Sequence, residues 1–222
     1  MAFPVIKTKK EAKAVVYGLS KPGKMPGPGW GINADACLRG AAMALVPGSV
    51  CSDCYAQKGH YAMYPEVKQA QDRRLEAFDT TDRNLWIAAM VRMIHGQEVF
   101  RWFDSGDLQS PEMLLAIIAV ARLTPATRHW VATREQGFVR RALAMLDGPL
   151  PENLIIRVSA DFIGQTPKNR ATPWSSTVHD PKDPSTVVPG AYICPAPEQK
   201  NQCGPCRACW DRNVETVSYK AH

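Results

Sequence analysis

The feature that most constrains the fold is an alternation of short apolar runs with helical patterns between residues 98 and 158. The periodicity predicts strands at 99–103, 129–133 and 154–158. It predicts the intervening helices at 111–123, after the Ser110-Pro111 cap signal, and at 136–146, before Gly148. Strands joined by crossover helices form a parallel sheet with functional loops at the carboxyl ends of the strands. The sequence therefore predicts an α/β fold.

The size of the sheet follows from the length of the chain. A further strand is expected within 186–193, which gives about four to six strands. A complete eight-stranded barrel needs roughly 250 residues, and the chain has 222. We therefore expect a partial (β/α) barrel or an open parallel sheet, with cysteine-bearing extensions at both ends.

The remaining segments are predicted from their caps and breakers. Helices are expected around 11–18, from Pro65 onwards, and between the Thr80-Thr81-Asp82 cap and Gly96. Loops are expected at 22–50 and 161–190, which are rich in proline and glycine or proline and polar residues. We interpret the chain as a single α/β domain, 1–222. Its parts are a basic arm with the first cysteine region (1–64), the helices and sheet (65–193), and the second cysteine region (194–222).

Seven cysteines fall into two sets, and no thiol occurs between 55 and 193. The second set is Cys194, Cys203, Cys206 and Cys209. Successive two-residue spacings let one loop wrap a 4Fe-4S cluster, with a distant cysteine such as Cys194 as fourth ligand. Zinc sites more often use two separate pairs, so zinc is the alternative cofactor.

The first set has three thiols, Cys37, Cys51 and Cys54. Three ligands leave one coordination position open on a 4Fe-4S cluster, suffice for a 3Fe-4S cluster, or hold a zinc ion with a catalytic water. His60, Asp53 or Asp35 are alternatives for closing the ligand shell. In a further alternative, the seven thiols provide only one site, and the cysteines that do not belong to it are buried structural residues.

Polar residues follow three of the predicted strands, and in a parallel sheet these positions lie side by side. The pocket candidates are Asp104, Ser105, Asp107, Arg134, Ser159 and Asp161. Of these, the catalytic candidates are Ser105, Asp107, Arg134 and Asp161. The cofactor-binding candidates are Ser105, Gly106, Asp107, Arg134 and Ser159.

Each residue type suits a particular contact. Gly106 lets a ligand approach the backbone, Arg134 suits a carboxylate or phosphate, and the acids suit an amine or ribose hydroxyls. The alternative is that these polar residues cap the helices that follow, since Thr133-x-x-Gln136 fits a capping box.

The net charge of +6 and the sequence pI of about 9.0 are compatible with an anionic partner. The lysines of the first 24 residues form either a solvated basic arm or a nucleic-acid patch, and they are Lys7, Lys9, Lys10, Lys13, Lys21 and Lys24. The longest uncharged apolar run, 113–121, is too short to span a bilayer, so no membrane partner is expected. We expect a cytoplasmic protein with reduced thiols. Walker and Gly-x-Ser-x-Gly motifs are absent, which disfavours nucleotide and serine hydrolases.

Several motifs occur in a characteristic order. They are Cys51-Ser-Asp-Cys54-Tyr55-Ala56-Gln57-Lys58, Tyr64-Pro65-Glu66-Val67, Arg73-Arg74, Phe103-Asp104-Ser105-Gly106-Asp107-Leu108, Thr133-Arg134, and Cys194-Pro195 with Cys203, Cys206, Cys209 and Trp210. With these motifs, residues 31 to 211 resemble the phage gene-product-eighty-eight family. The resemblance implies a phage origin, hence the host cell cytoplasm, and iron–sulfur binding.

The layout is also distantly similar to that of radical S-adenosylmethionine enzymes. Those enzymes place a three-cysteine cluster before a partial barrel and an amine-binding segment after the next strand, where this chain has Ser105-Gly106-Asp107. The first cysteine set has the spacing Cys37-x13-Cys51-x2-Cys54 in place of their usual Cys-x3-Cys-x2-Cys loop. The similarity implies S-adenosylmethionine as a cofactor.

The leading hypothesis is an iron–sulfur protein with two clusters. The second cluster passes electrons or stabilises the fold, and the open first cluster performs redox or radical-type chemistry on a small ligand. Its partners are an electron donor or a small molecule. The alternatives are a zinc-stabilised module that binds nucleic acid through Lys7, Lys9 and Lys10, and a structural cluster protein without catalysis.

Overall fold

A parallel β-sheet forms the centre of the structure. The computed structural model describes residues 3–58, 61, 63–168 and 170–221. Seven strands occur in these residues: β1 (Gly29–Trp30), β2 (Val99–Trp102), β3 (Arg128–Thr133), β4 (Leu154–Ser159), β5 (Ser175–His179), β6 (Tyr192–Ile193) and β7 (Thr216–Lys220). Their order across the sheet is β1-β2-β3-β4-β5-β7-β6, and every adjacent pair is parallel. The sheet is open, so the predicted α/β class with an open parallel sheet is confirmed.

The helices begin and end close to the predicted caps. In chain order they are α1 (Lys9–Val16), α2 (Leu38–Ala44), α3 (Pro65–Thr80), α4 (Arg83–Ile94), α5 (Pro111–Leu123) and α6 (Gln136–Met145). Asp82 caps α4 by accepting a hydrogen bond from the backbone N–H of Leu85 at 3.0 Å. Ser110 caps α5 by accepting from the N–H of Met113 at 3.1 Å. Each cap satisfies a backbone donor that has no partner within its helix.

The two faces of the sheet are covered differently. Alternate residues of a strand point to opposite faces, so Trp102 packs in a large core with α1, α4, α5 and α6. In that core Trp30 and Trp86 are fully buried with their ring centroids 5.8 Å apart. On the opposite face Val99 and Trp130 pack against Trp210 of the second cysteine region. The sheet is therefore sandwiched between a helical layer and the segment that carries the second cysteine set.

His129 has a structural role in the core of the helical side. It is fully buried, its Nδ1 accepts from the indole N–H of Trp102 at 3.3 Å, and its Nε2 lies 2.8 Å from Thr124 Oγ1. Because Nδ1 accepts, the proton lies on Nε2 and is donated to the threonine. Burial lowers the pKa of His129 to about 4, although Thr124 acts in the opposite direction. The imidazole is therefore neutral in the folded protein.

Two predicted loops contain regular structure. Residues 22–50 include β1 and α2, and residues 161–190 include β5. The sequence of β5, Ser-Ser-Thr-Val-His, lacks the apolar pattern of a buried strand. Its buried hydroxyl groups pair with hydroxyl groups on neighbouring strands in place of apolar contacts. Ser175 Oγ lies 2.9 Å from Thr216 Oγ1, and Ser176 Oγ lies 2.9 Å from Ser159 Oγ. The prediction of an irregular segment there was wrong, and the sheet has more strands than the expected four to six.

The strand expected within 186–193 is shorter than predicted. Within this range the strand is limited to the two residues of β6. Pro184–Thr186 forms a 3-10 turn capped by Asp183. Pro189 lacks a backbone donor and Gly190 has a positive φ of 76°, so a ladder cannot run through them.

The basic N-terminal segment is partly docked on the fold. Ala12 and Val16 of α1 are fully buried and belong to the core that includes α4. Lys9, Lys10 and Lys13 are exposed on the same helix. Nucleic-acid binding through Lys7, Lys9 and Lys10 stays a prediction. In the described part of the chain, no helix combines the length and the apolar character that crossing a membrane requires.

Candidate functional site

A cavity of about 1460 Å³ lies at the carboxyl edge of the sheet. Its walls include residues that follow β2, β3 and β4, since the carboxyl ends of parallel strands meet at one edge. All seven cysteines lie in the described part of the chain. Six of them line this cavity: Cys37, Cys51, Cys54, Cys194, Cys203 and Cys209. The fold thus brings both cysteine sets to one space.

The first set is held by short helical segments. Cys37 precedes α2, and Cys51 lies in a 3-10 turn, Val50–Asp53. A Cβ atom on Gly40 would lie 2.9 Å from Cys37 Cβ and 3.9 Å from Cys51 Sγ. The missing side chain therefore lets α2 pack directly against two thiols. Burial first, and then Asp107, Cys54 and Cys51, raises the pKa of the Cys37 thiol to about 12.

Two cysteines of the second set each lie next to a tyrosine hydroxyl. Tyr192 OH lies 3.5 Å from Cys206 Sγ, and Tyr219 OH lies 3.1 Å from Cys209 Sγ. The backbone N–H of Cys194 donates to Ser218 O at 2.9 Å, which ties this cysteine to β7. Burial raises the pKa of Cys209 to about 12, although Tyr219 lowers it. The Cys209 thiol is therefore protonated without a bound metal.

Arg157 fixes the second cysteine region to the sheet. It lies in β4 and is fully buried. Among the described residues, its hydrogen-bond acceptors are all backbone carbonyls. The acceptors are Ala208 (2.9 Å), Cys209 (3.1 Å), Asp211 (3.0 Å), Val214 (2.7 Å), Glu215 (2.9 Å) and Ser175 (3.3 Å). The planar fork of the guanidinium group suits several acceptors at once. One side chain therefore provides hydrogen-bond donors to several backbone carbonyls of the turn that carries Cys209.

The turn after β2 carries the predicted Ser-Gly-Asp segment. Phe103 and Gly106 have positive φ values of 60° and 74°. A Cβ on Gly106 would lie 2.3 Å from Ile32 Cγ1 and 2.8 Å from Ile32 O, so only glycine fits there. The glycine that we expected to admit a ligand instead admits the chain after β1.

Asp107 connects the ends of two strands. It accepts from Thr133 Oγ1 at 2.5 Å, from the N–H of Arg134 at 2.8 Å and from the N–H of Leu108 at 2.7 Å. Burial raises the pKa of Asp107 to about 6, although these hydrogen bonds lower it. Thr133 therefore does not form the predicted capping box with Gln136. The N-cap of α6 is Glu135, which makes no side-chain cap.

The structure places most of the predicted pocket residues at the cavity. Ser105, Gly106, Asp107, Arg134 and Ser159 line it, as does Asp104. Asp161 is not part of the lining and forms an ion pair with Arg39 on α2. The catalytic and cofactor-binding roles of these residues stay predictions.

The alternative ligands for the first cysteine set are engaged elsewhere. Asp35 pairs with Lys68 at 3.0 Å, and Asp53 pairs with Lys58. His60 lies outside the described residues. Over the described ranges, no three His, Cys, Asp or Glu side chains form a group that fits one metal ion.

Several cavity residues were not predicted as site residues. They are Tyr55, Tyr61, Arg74, Arg101 and Tyr219. Tyr55 and Arg74 belong to the motifs that carried the family resemblance. The sequence therefore marked both residues, but it did not indicate that they line the site. Arg101 lies inside an apolar strand pattern, and its long aliphatic stem gives no separate signal there.

The fold and this site define an α/β protein with an open parallel sheet and a thiol-lined cavity at its carboxyl edge. The model of the family described as Gene product 88 matches residues 7–212. The chain belongs to this phage gene-product family, as its motifs indicated. Comparison with the curated proteins and with the solved structures gives no match.

Proposed function

We propose that this protein binds iron–sulfur clusters through its two cysteine sets and acts on a small ligand in the shared cavity. The convergence of six thiols on one cavity carries the proposal. The first cluster would use Cys37, Cys51 and Cys54, and the second would use Cys194, Cys203, Cys206 and Cys209. Such clusters supply one-electron chemistry and, with three cysteines, an iron with an open position.

The successive two-residue spacings of Cys203, Cys206 and Cys209 favour a cluster over a single zinc ion. Tetrahedral zinc with Zn–S bonds of about 2.3 Å places its sulfur ligands about 3.8 Å apart. No group of three or more ligands for one metal ion occurs among the described residues. A 4Fe-4S cubane binds each cysteine through a different iron atom, so its sulfur ligands lie farther apart than those of a single zinc ion.

Aromatic side chains cover part of the cavity wall, and a tyrosine hydroxyl can donate a hydrogen bond to a cysteine sulfur. Trp130 stacks near Tyr219 and packs against Trp210, which shields one wall of the cavity from water. Tyr219 OH, 3.1 Å from Cys209 Sγ, is a hydrogen-bond donor for a deprotonated sulfur. Hydrogen bonds to cysteine sulfur and burial set the properties of such sites.

The test is metal analysis of protein purified without oxygen. We expect iron and acid-labile sulfide, with electron paramagnetic resonance signals after reduction. Cys51→Ser and Cys203→Ser are each expected to remove one part of the iron and to leave different signals. Ser52→Ala, in the same turn as Cys51, should retain the wild-type content. A colourless protein with zinc and no iron would refute the proposal and favour the zinc-stabilised alternative.

Chemistry that resembles that of radical S-adenosylmethionine enzymes is a narrower form of this proposal. The Ser105-Gly106-Asp107 segment lines the cavity as that layout requires. However, the carboxylate of Asp107 already accepts three hydrogen bonds from the protein. Calorimetric titration of the reconstituted protein with S-adenosylmethionine tests this form, and absence of binding would remove it.

A further inference from the structure

Two arginines in the cavity wall have neutral partners. Arg74 on α3 is 7% exposed, and its Nη1 donates to Gly31 O at 3.3 Å. Arg101 on β2 lies with its guanidinium carbon 4.6 Å from the centroid of the Trp130 ring. Its Nη2 donates to Tyr55 OH at 3.4 Å. Across the described ranges, neither arginine forms an ion pair, although the nearby carboxylate of Asp104 acts to raise the pKa of both. Two guanidinium groups therefore share this part of the wall with one carboxylate.

The adjacent carboxylate is occupied by hydroxyl groups. Asp104 Oδ1 accepts from Ser20 Oγ at 2.8 Å, and Oδ2 accepts from Tyr61 OH at 3.2 Å. The backbone carbonyl of Asp104 accepts from Tyr55 OH at 2.6 Å. The hydrogen bonds of Asp104 therefore come from hydroxyl groups, and its side chain lines the cavity together with the two arginines.

Several hydrogen-bond donors in this part of the cavity wall have no acceptor within the described chain. The Nε atoms of Arg74 and Arg101 and the hydroxyl of Ser105 are buried and have no partner among the described residues. Ser105 is 3% exposed. Buried polar groups of native proteins are nearly always paired, and a buried charge is costly unless an opposite charge meets it.

Short contacts connect these donors into one surface. Tyr55 OH joins Arg101 to the backbone of Asp104. A Cβ on Gly31 would lie 2.9 Å from Ser105 N, and the carbonyl of Gly31 is the acceptor for Arg74. Lysines also line the cavity, namely Lys21, Lys24 and Lys220.

We propose that Arg74, Arg101 and Ser105 form a binding site for an oxyanion group, a phosphate or carboxylate carried by the cavity's ligand. Guanidinium groups recognise both anions through paired N–H donors. The inference rests on the proposed function for the chemistry that the ligand undergoes, and it names the ligand class. Binding of the anion satisfies the unused donors and offsets the positive charge of the two guanidinium groups.

Isothermal titration calorimetry with inorganic phosphate tests the site on anaerobically reconstituted full-length protein. We expect binding that weakens as salt is raised. Arg101→Gln and Arg74→Gln should each weaken it about 10- to 100-fold, the range for loss of a charged hydrogen-bond partner. Ser105→Ala removes one unpaired hydroxyl, so it should fold normally and weaken binding less.

Arg141→Gln is the matched control, because Arg141 also lies over an aromatic ring, at 5.0 Å from Phe138, outside the cavity lining. It should bind phosphate as the wild type does. Equal affinity in all variants, or no phosphate binding by protein with full iron and sulfide, would overturn the inference. Iron and sulfide are measured on the same samples, so absence of clusters is recorded separately as failure of the proposed function.

Discussion

Replacement of Arg157 by methionine tests how the second cysteine region is held. The side chain is fully buried and donates to six backbone carbonyls. Each hydrogen bond from a charged donor contributes about 1.5–3 kcal/mol. The desolvation of a buried ion costs several kcal/mol and offsets a large part of this sum. We expect Arg157→Met to lower the free energy of unfolding by about 3–5 kcal/mol, because several buried carbonyls lose their donor at about 1–3 kcal/mol each and the relief of the buried charge offsets part of this cost.

Urea denaturation measures this loss, with the slope of the transition checked for constancy. Arg157→Lys keeps the charge but has only three donors on one nitrogen, so most of the loss should remain. The control is Arg122→Met. Arg122 donates to the carbonyls of Asp147 and Pro149 at an exposed position, and its replacement should cost less than about 1 kcal/mol. A loss below about 1 kcal/mol for Arg157→Met at an unchanged slope would show that this network does not stabilise the region.

Two further predictions concern pH and backbone packing. The pKa of His129 is about 4 when folded against an ordinary 6.5, so its stabilising effect is complete above 6.5 and is lost as pH falls towards 4. The loss amounts to about 3 kcal/mol, and pH-dependent denaturation should show it missing in His129→Gln. Gly31→Ala should destabilise the protein by more than about 2 kcal/mol, because its Cβ would lie 2.5 Å from Asp104 Oδ1 and 2.7 Å from Ser105 O.

Each of these two predictions has a control. His95→Gln, at an exposed helix end, should keep the wild-type pH profile, and a full acid-dependent loss in His129→Gln would contradict the assignment. Gly137→Ala, on α6 with nothing within 4 Å of the new methyl group, should stabilise the protein by up to about 1 kcal/mol. An unchanged free energy of unfolding in Gly31→Ala would contradict the close approach of Gly31 to the turn after β2.

The predicted elements were those with strong local signals. Helix α5 has the Ser110-Pro111 cap and a continuous apolar face, and its observed bounds agree with the sequence. Strand β5 was missed because its serines pair with hydroxyls on β4 and β7, and these partners are distant in sequence. Strand β1 was missed because it has only two residues.

The site was predicted where topology alone determines position. Because parallel strands end at one edge, Ser105, Arg134 and Ser159 could be expected to line one cavity, and they do. The inclusion of Arg74 could not be predicted, since it depends on how α3 packs against the segment after β1. Asp161 follows β4 as expected, yet its ion pair with Arg39 is a tertiary contact that strand order does not reveal.

The order of strands in the sheet has a consequence for how the protein folds. Every strand pairing is parallel and joins residues far apart in sequence, which is typical of slow folding because long loops must close before contacts form. Most of the sheet lies between Cys37 and Cys209 in the sequence, so their thiols reach the same cavity only when the sheet has formed. Until then the chain exposes two separate sets of reactive sulfur atoms. Refolding yield should therefore depend on a reductant being present before the sheet is complete, and much less afterwards.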